Sequence, residues 1–530
     1  LAILNAQNNQ LTTLDISSLS GLSSLNVGNN QLDFLDIRNG NNTNFAELNT
    51  SNNLNLTCIS VDDITHSINN WPNNPQFQID AHTSFSNDCS IQATVWTGAV
   101  DTDWNNPGNW SAGIPNNTDD IVISGGGNNP VINTAGAACQ NLTISSGGSI
   151  TISDASYSIN IDTLKIENGA QVTISSGDVY TNNVIHSGDL NISGGNLDID
   201  GNYTASGNIN ANITGGTIKV EGNWTSSGNG FDPTGGTVEF SGSVAQTISL
   251  ASGNNFYDLT INNSNATDKV SAQGSALVVS NHLNIADGIF ESASDYHDVT
   301  IASGSTLELT GDITVSGNWT NNGTFTAGTH LVTFDGTTPQ SISGNNEFYG
   351  LKINKSNNDI IIDSNNTNIT VNNNLDLVQG IINLNTNSLS LSNLASVSNS
   401  SNSSHTYNGK VVHTSSQNPF TYPCGDGTNY RPITLLANGM PVSVSYLFAN
   451  QNQSSLNSSL SSIETYGWDV QDIDILLASA NITIPFDASY GITDFNNLAI
   501  AMFDGIEWTE LPSTVTGTAS SGSITTNSSV

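Results

Sequence analysis

Short runs of Leu, Ile, Val and Phe alternating with polar residues recur along most of the 530-residue chain, and clusters of Asn, Gly and Ser separate them. Alternation with a period of two puts the apolar side chains on one side of a strand and the polar ones on the other. Each run therefore predicts a short, half-buried β-strand, and each cluster a turn. The runs return at fixed intervals, so the expectation is a stack of similar turns whose apolar faces merge into one continuous core.

In the first 60 residues LNAQNNQL (4–11), LNVGNNQL (25–32) and LNTSNNLNL (48–56) recur at spacings of 21 and 23. This is the leucine-rich-repeat pattern: Leu and Ile face the core, while Asn9, Asn30 and Asn53 stand where an amide can bond the turn backbone of neighbouring coils. The abrupt start at Leu1 predicts a capping or further repeat upstream, since a terminal repeat would expose its apolar edge. Cys58 and Cys89 bracket a Pro/Asn-rich stretch and predict a disulfide that closes the last repeat; the competing reading is two unpaired buried thiols.

From Trp96 the texture changes. Leu142-Thr143-Ile144 and Leu164-Lys165-Ile166 are 22 apart, and NISGGNLDIDGNYT (191–204) matches NITGGTIKVEGNWT (212–225) at an offset of 21. A constant spacing of this size with two inward residues per strand predicts one turn of a right-handed parallel β-helix per repeat. The inner positions are Leu197 and Ile199, Ile218 and Val220, Val238 and Phe240. Gly194, Gly215 and Gly235 share a corner and are expected to take positive φ. A longer duplication overlies the turns: residues 222–261 recur at 317–353, with Trp224 matching Trp319 and Phe256 matching Phe348. After the Ser/Asn run 398–405 come longer strands with hairpin-like turns, which predict an antiparallel β-sandwich. The expected organisation is thus mainly β: leucine-rich repeats with a C-terminal cap at 1–90, a β-helix with a Trp-rich opening segment and an internal duplication at 91–400, and a β-sandwich at 401–530.

Four stretches carry a resemblance: the LxxLDIS…NNQL units ending in CISVDD, the segment WTGAVDTDWNNPGNWSAGIP, the block GNWTNNGTFTAG…VTFDGTTPQSISG, and FTYPCGDGTNYRPITL. Together they resemble large secreted, adhesin-like surface proteins of Bacteroidetes, across nearly the whole chain. The resemblance implies an extracellular, cell-surface location and export by type IX secretion, with the secretion machinery of the outer membrane as one partner. The C-terminal sorting domain of that group is not visible before Val530. Modules of this kind occur in proteins of varied activity, so the resemblance names no ligand beyond glycans or other cell-surface proteins.

Composition narrows the rest. Eight Lys and Arg against 45 Asp and Glu give a formal net charge of −37, which excludes nucleic-acid binding through phosphate contacts. No apolar run approaches the length of about 18 residues needed to span a bilayer, so no membrane span is expected. Asp198, Lys219 and Glu239 fall at matched outward positions of successive turns, and predict either a cross-strand ion-pair ladder or a sugar-binding or proton-transfer row. The only Arg residues are Arg38 and Arg431, so a β-helix polysaccharide lyase or hydrolase would lack the usual clamp for an acidic substrate.

Asp101, Asp103 and Asn105 alternate like calcium-loop ligands, with Asp119 and Asp120 downstream, but Asn106 and Ala112 stand where an EF-hand needs Gly and Glu. The alternative is a cap built from Trp96, Trp104 and Trp110. Asp469, Asp472 and Asp474 form a further acidic run, read as a solvated strand edge. Tyr203, Trp224 and Trp319 occupy equivalent GNY/GNW positions and point either to a stacking platform for sugars or to the core. Cys139 and Cys424 are expected to be free and buried. No zinc, serine-hydrolase or phosphate-loop spacing is found, so no catalytic residue and no cofactor is expected. These readings favour a non-catalytic surface or stalk protein, with a β-helix carbohydrate-active enzyme or a glycan-binding module as rivals.

Overall fold

The computed structural model describes all residues except 73, 81, 88, 90–92, 274–276, 357–359, 363–366, 415–418, 438–440, 449–455, 457–459, 461, 463–465, 473–479, 504–505 and 529–530. The described strands form a β-solenoid of about 19 turns, and the chain divides into two compact units. Among the described residues no helix is long and apolar enough to cross a membrane.

The first unit comprises Leu1–Trp96, Trp110–Val122 and Cys139–Asn141. Two parallel ladders run through it. Ile3–Asn5, Ser24–Asn26, Glu47–Asn49 and Phe77–Gln78 make one, and Thr13–Asp15, Phe34–Asp36, Cys58–Ser60 and Ser84–Ser86 make the other. The register sets Leu4 on Leu25 and Leu25 on Leu48, which stacks the repeated Leu positions into a column with Leu25 and Leu48 wholly buried and Leu4 partly so. The doubled Asn of each repeat divides its labour. Asn8, Asn29 and Asn52 take left-handed backbone with φ of 59, 56 and 60°, a conformation Asn tolerates better than other residues carrying a Cβ. The Asn that follows turns its amide to the backbone: Asn30 Nδ2 donates to Ala6 O and Val27 O while its Oδ1 accepts from Leu11 N, and Asn53 repeats this with Val27 O, Thr50 O and Leu32 N. Asn9, on the outermost turn, is exposed and bonds only its own turn at Ala6 O and Gln7 O.

A short helix, Ile64–Asn70, is capped by the Asp63 side chain and delivers Trp71 into the core, stacked on Phe77 with ring centroids 5.3 Å apart. Cys58 and Cys89 are joined by a disulfide with Cα atoms 5.7 Å apart. The bond closes a long loop, so replacing both residues by Ser should lower the stability of this unit by roughly 3 to 4 kcal/mol. Urea unfolding read by hydrogen exchange of Ile64–Asn70, with and without reductant, is the measurement; equal midpoints for the two redox states would contradict it.

The second unit comprises Thr97–Asn109, Ile123–Ala138 and Leu142–Val530. A representative turn has three strands, Asp189–Ile192, Asn196–Ile199 and Tyr203–Ala205, and the next turn repeats them as Asn210–Ile213, Thr217–Val220 and Trp224–Ser226. Their parallel registers, Leu190 on Ala211, Leu197 on Ile218 and Tyr203 on Trp224, bury the alternate residues. Leu197, Ile199, Ile218, Val220, Val238 and Phe240 are all in the core.

The corner glycines differ from expectation by one residue. Positive φ belongs to Gly195, Gly216 and Gly236, at 69, 72 and 74°. Gly194, Gly215 and Gly235 are required for a different reason: a Cβ at these positions would lie within 2.5–2.6 Å of the carbonyl oxygen of Ser175, Ser193 or Thr214 in the preceding turn. Two adjacent constraints, one torsional and one of close approach, therefore fix the repeated Gly-Gly.

The boundary expected at 400/401 is not marked by a break in pairing. Thr406–Tyr407 still pairs in parallel with Ile382–Asn383, and Lys410–Thr414 with Ser388–Leu391. The change of hand comes on the far side of that strand, where Pro441–Phe448 joins Lys410–Thr414 antiparallel and Tyr466–Asp472 follows. Beyond it lie a five-stranded antiparallel sheet, Phe420–Tyr422, Ile433–Ala437, Ala480–Asp487, Ser521–Thr526 and Ser513–Thr518, and the hairpin Ile500–Phe503 with Trp508–Leu511. Arg431 is buried here: its guanidinium donates to Ser489 Oγ and Ser489 O and stacks over Tyr490. Of the acidic run, Asp474 lies outside the described residues, and Asp469 and Asp472 are described only as backbone positions of Tyr466–Asp472.

Candidate functional site

Asp198, Lys219 and Glu239 are in register on neighbouring strands, at the outward position between two buried residues of each turn. The ion pairs do not follow the register throughout. Lys219 Nζ lies 3.6 Å from Asp198 and 3.3 Å from Glu221, just past the end of its own strand, while Glu239 accepts from Asn262 Nδ2 at 2.8 Å on the turn beyond. Partial burial raises the Asp198 pKa, with Lys219 pulling it back. Burial pushes the Lys219 ammonium down, but Asp198 and Glu221 outweigh that and hold it above the ordinary lysine value. At neutral pH this is a charged ammonium between carboxylates, which cannot serve as a proton acceptor.

A second outward cluster was not legible from spacing. Lys269 Nζ lies 2.6 Å from both Glu291 Oε1 and Glu308 Oε2, and Ser271 Oγ donates to Glu291 Oε2 at 2.9 Å. Ser271, Glu291 and Glu308 are successive register partners, so one lysine relieves the repulsion of two stacked carboxylates. The interval from Glu291 to Glu308 is shorter than the prevailing repeat, so period matching misses the alignment.

Of the two readings of Tyr203, Trp224 and Trp319, a sugar platform or the core, burial decides for the core: all three are fully enclosed. Each opens a three-residue strand whose first and third residues face inward, so the rings stack inside the solenoid. Tyr203 and Trp224 lie parallel with centroids 3.8 Å apart, and Trp224 meets Phe256 edge-on at 5.4 Å.

The calcium candidates are engaged in turn geometry. The Asp101 carboxylate accepts from Asn109 Nδ2, Asn106 Nδ2 and Asp103 N, and these hydrogen bonds, Asn109 foremost, lower its pKa. Asp103 accepts from Asn105 N, and Asn105 donates its amide to Thr134 and Ala135. Asp119 accepts from Asn116, and Asp120 from Asn141. Among the described residues no group of three or more His, Cys, Asp or Glu is arranged to hold a metal ion. These carboxylates serve the turns and neighbouring amides around them. Trp104 is fully buried, and Trp96 and Trp110 meet edge to face at 4.8 Å.

Residues 95–207, a minority of the chain, match a family described as a domain of unknown function (DUF8693). No curated protein and no solved structure matches the chain. The matched segment spans the Trp-rich stretch and the first turns of the second unit, including Asp198 and Tyr203.

Cys139 and Cys424 are free and buried, and burial pushes each thiol up to about 12, so neither is an activated nucleophile. His186 is enclosed in the core. Its Nε2 faces Gly188 O at 3.1 Å and its Nδ1 faces the Tyr203 hydroxyl at 2.5 Å. A carbonyl can only accept, which assigns the proton to Nε2 and makes Nδ1 the acceptor of the Tyr203 O–H. Burial lowers the His186 pKa to about 4.

The unfolded chain therefore binds a proton near pH 6.5 that the folded chain refuses until about pH 4, so stability falls as pH falls through that window. Between pH 6.5 and 5, before most carboxylates titrate, His186 should account for a loss of about 1.5 kcal/mol. His413, also held at about 4 by burial, acts in the same direction. Urea unfolding at the two pH values tests this, and His186→Gln should flatten the slope; an unchanged slope would refute the assignment.

Proposed function

We propose that this chain is a non-catalytic extracellular surface protein, adhesin-like or stalk-like, in which β-solenoid turns hold binding faces at a distance from the cell. The observation that carries the reading is repetition: the second unit repeats one structural turn many times, and outward lysines such as Lys219 and Lys269 lie against carboxylates of their own or neighbouring turns. Copying such a block lengthens the solenoid without creating a reacting centre. The fold itself supports no more than a repeat-based structural role.

The finer reading takes Leu1 to about residue 90 as leucine-rich repeats, 91–400 as the right-handed β-helix and 401–530 as a β-sandwich, exported by type IX secretion in a Bacteroidetes organism. The doubled-Asn turns of the first unit favour the leucine-rich-repeat assignment, and the Cys58–Cys89 disulfide suits an oxidising compartment. The test is incubation of the chain with neutral and acidic polysaccharides, followed for products and for binding. Turnover that disappears in Lys219→Ala or Asp198→Ala would overturn the reading in favour of an enzyme. Surface labelling of intact cells by an antibody to the chain tests the location.

A further inference from the structure

With Tyr203, Trp224 and Trp319 enclosed, the ring that faces outward near the charged ladder is Tyr180, 42% exposed on the long strand Gln171–His186. Val179 is buried between Asp178 and Tyr180, which fixes both neighbours on the outer side. Register then assembles a two-column patch: Ser158, Asp178, Asn196 and Thr217 in one column, and Asn160, Tyr180, Asp198 and Lys219 in the other. The Tyr180 hydroxyl donates to Asp178 Oδ2 at 3.2 Å, so the ring lies along its own strand instead of standing free. Asn196 Nδ2 donates to the other Asp178 oxygen at 2.8 Å, which holds the carboxylate that holds the ring.

We propose that this patch is a subsite for a neutral glycan, with Tyr180 as the stacking ring. The proposal rests on the reading of the chain as an extracellular surface protein and names the ligand class such a surface would take. A tethered aromatic ring offers an apolar face to the C–H face of a sugar with little ordering left to do on binding. The planar amides of Asn160 and Asn196 and the carboxylates of Asp178 and Asp198, one column apart, match the paired hydroxyls of a pyranose. Charge selects against acidic glycans: Asp178 and Asp198 flank the ring, and the nearby Lys219 is already held by Asp198 and Glu221. All of the patch except Thr217 and Lys219 lies within the segment that matches the domain family, and none of it lies in the duplicated block.

The experiment is calorimetric titration of the full chain with cellohexaose, xylohexaose and chitohexaose, and with a Lys-rich peptide as the competing class. Saturable binding of at least one hexasaccharide is expected. It should weaken tenfold or more in Tyr180→Ala, weaken by a smaller factor in Tyr180→Phe, which keeps the ring and loses its tether, and be indifferent to Ser249→Ala on another outward face. Circular dichroism should show Tyr180→Ala folded, since the side chain is half exposed. Binding unchanged by Tyr180→Ala, no binding of any hexasaccharide, or binding of the basic peptide alone would overturn the subsite while leaving the surface-protein reading standing. Cleavage of a hexasaccharide would instead sink that reading.

Discussion

Truncation of Trp319 to Ala is expected to destabilise its part of the solenoid by about 3–5 kcal/mol, and truncation of Trp224 by a similar amount. Each ring is fully enclosed and touches several aromatic neighbours: Phe325, Phe334 and Phe348 around Trp319, and Tyr203, Phe231, Phe240 and Phe256 around Trp224. A turn cannot collapse onto the resulting cavity, because parallel hydrogen bonds fix its distance from the turns on both sides. The pair also supports a finer comparison, since the two rings are copies that have diverged at one atom. Trp319 Nε1 donates to Asn346 Oδ1 at 2.6 Å, whereas Trp224 Nε1 is buried without a hydrogen-bond partner. Substitution by Phe therefore removes a useful bond at 319 and an unsatisfied donor at 224. Trp319→Phe should lose about 1 kcal/mol more than Trp224→Phe. Urea unfolding of the four variants, with hydrogen exchange localising the change to Trp319–Asn321 or Trp224–Ser226, decides the matter. Equal effects of the two Phe substitutions would show that the indole hydrogen bond contributes nothing.

That same pair shows where the sequence is legible and where it stops. The duplication locates Trp224 and Trp319 as equivalents from letters alone, and Trp224 pairs with Tyr203 as the offset of 21 requires. Which way the rings point is a separate matter. In a GNWT strand three residues long, a period of two has no room to establish its phase, so both inward and outward readings survive until the register is known. Longer strands give no such trouble: Leu197 and Ile199 declare their side by flanking a polar residue. The corner glycines are legible as a pair, but not as two constraints. One is a torsion that a sequence pattern can suggest, and the other is a carbonyl from the preceding turn that only the stack reveals. Lys269 with Glu291 and Glu308 escapes for a related reason, because the pairing crosses a turn shorter than the prevailing repeat. Tyr180 escapes because it has no counterpart in the matched repeats, and a search for equivalence passes over what occurs once.

Lys355→Met should be among the more damaging single changes in the chain, at about 2–5 kcal/mol, because it takes the donor from buried acceptors. The side chain is wholly buried, and its ammonium donates to Gly336 O at 2.9 Å, Thr338 O at 2.8 Å and Gln340 Oε1 at 2.7 Å. Gln340 is itself the plug of that turn, with Nε2 donating to Val315 O and Gly317 O and Oε1 accepting from Gly336 N. The earlier copy of the block builds the same plug around Gln246, and there the residue aligned with Lys355 is Asn263. Its Nδ2 donates to Val244 O at 2.7 Å and Gln246 Oε1 at 3.0 Å, the counterparts of Thr338 O and Gln340 Oε1. The amide thus serves two of the three acceptors that the ammonium serves. A neutral group of natural shape is already known to the fold at this position, which makes Lys355→Asn the informative variant. It should recover much of what Lys355→Met loses, because it restores two donors and removes the need to bury a charge, whereas Met leaves the carbonyl oxygens of Gly336 and Thr338 without this donor. Because the site is enclosed, salt should not alter the difference between the two variants. Urea unfolding at low and high ionic strength checks both statements. Lys355→Met as stable as the parent chain, or Lys355→Asn no better than Met, would mean that the plug is held by Gln340 alone.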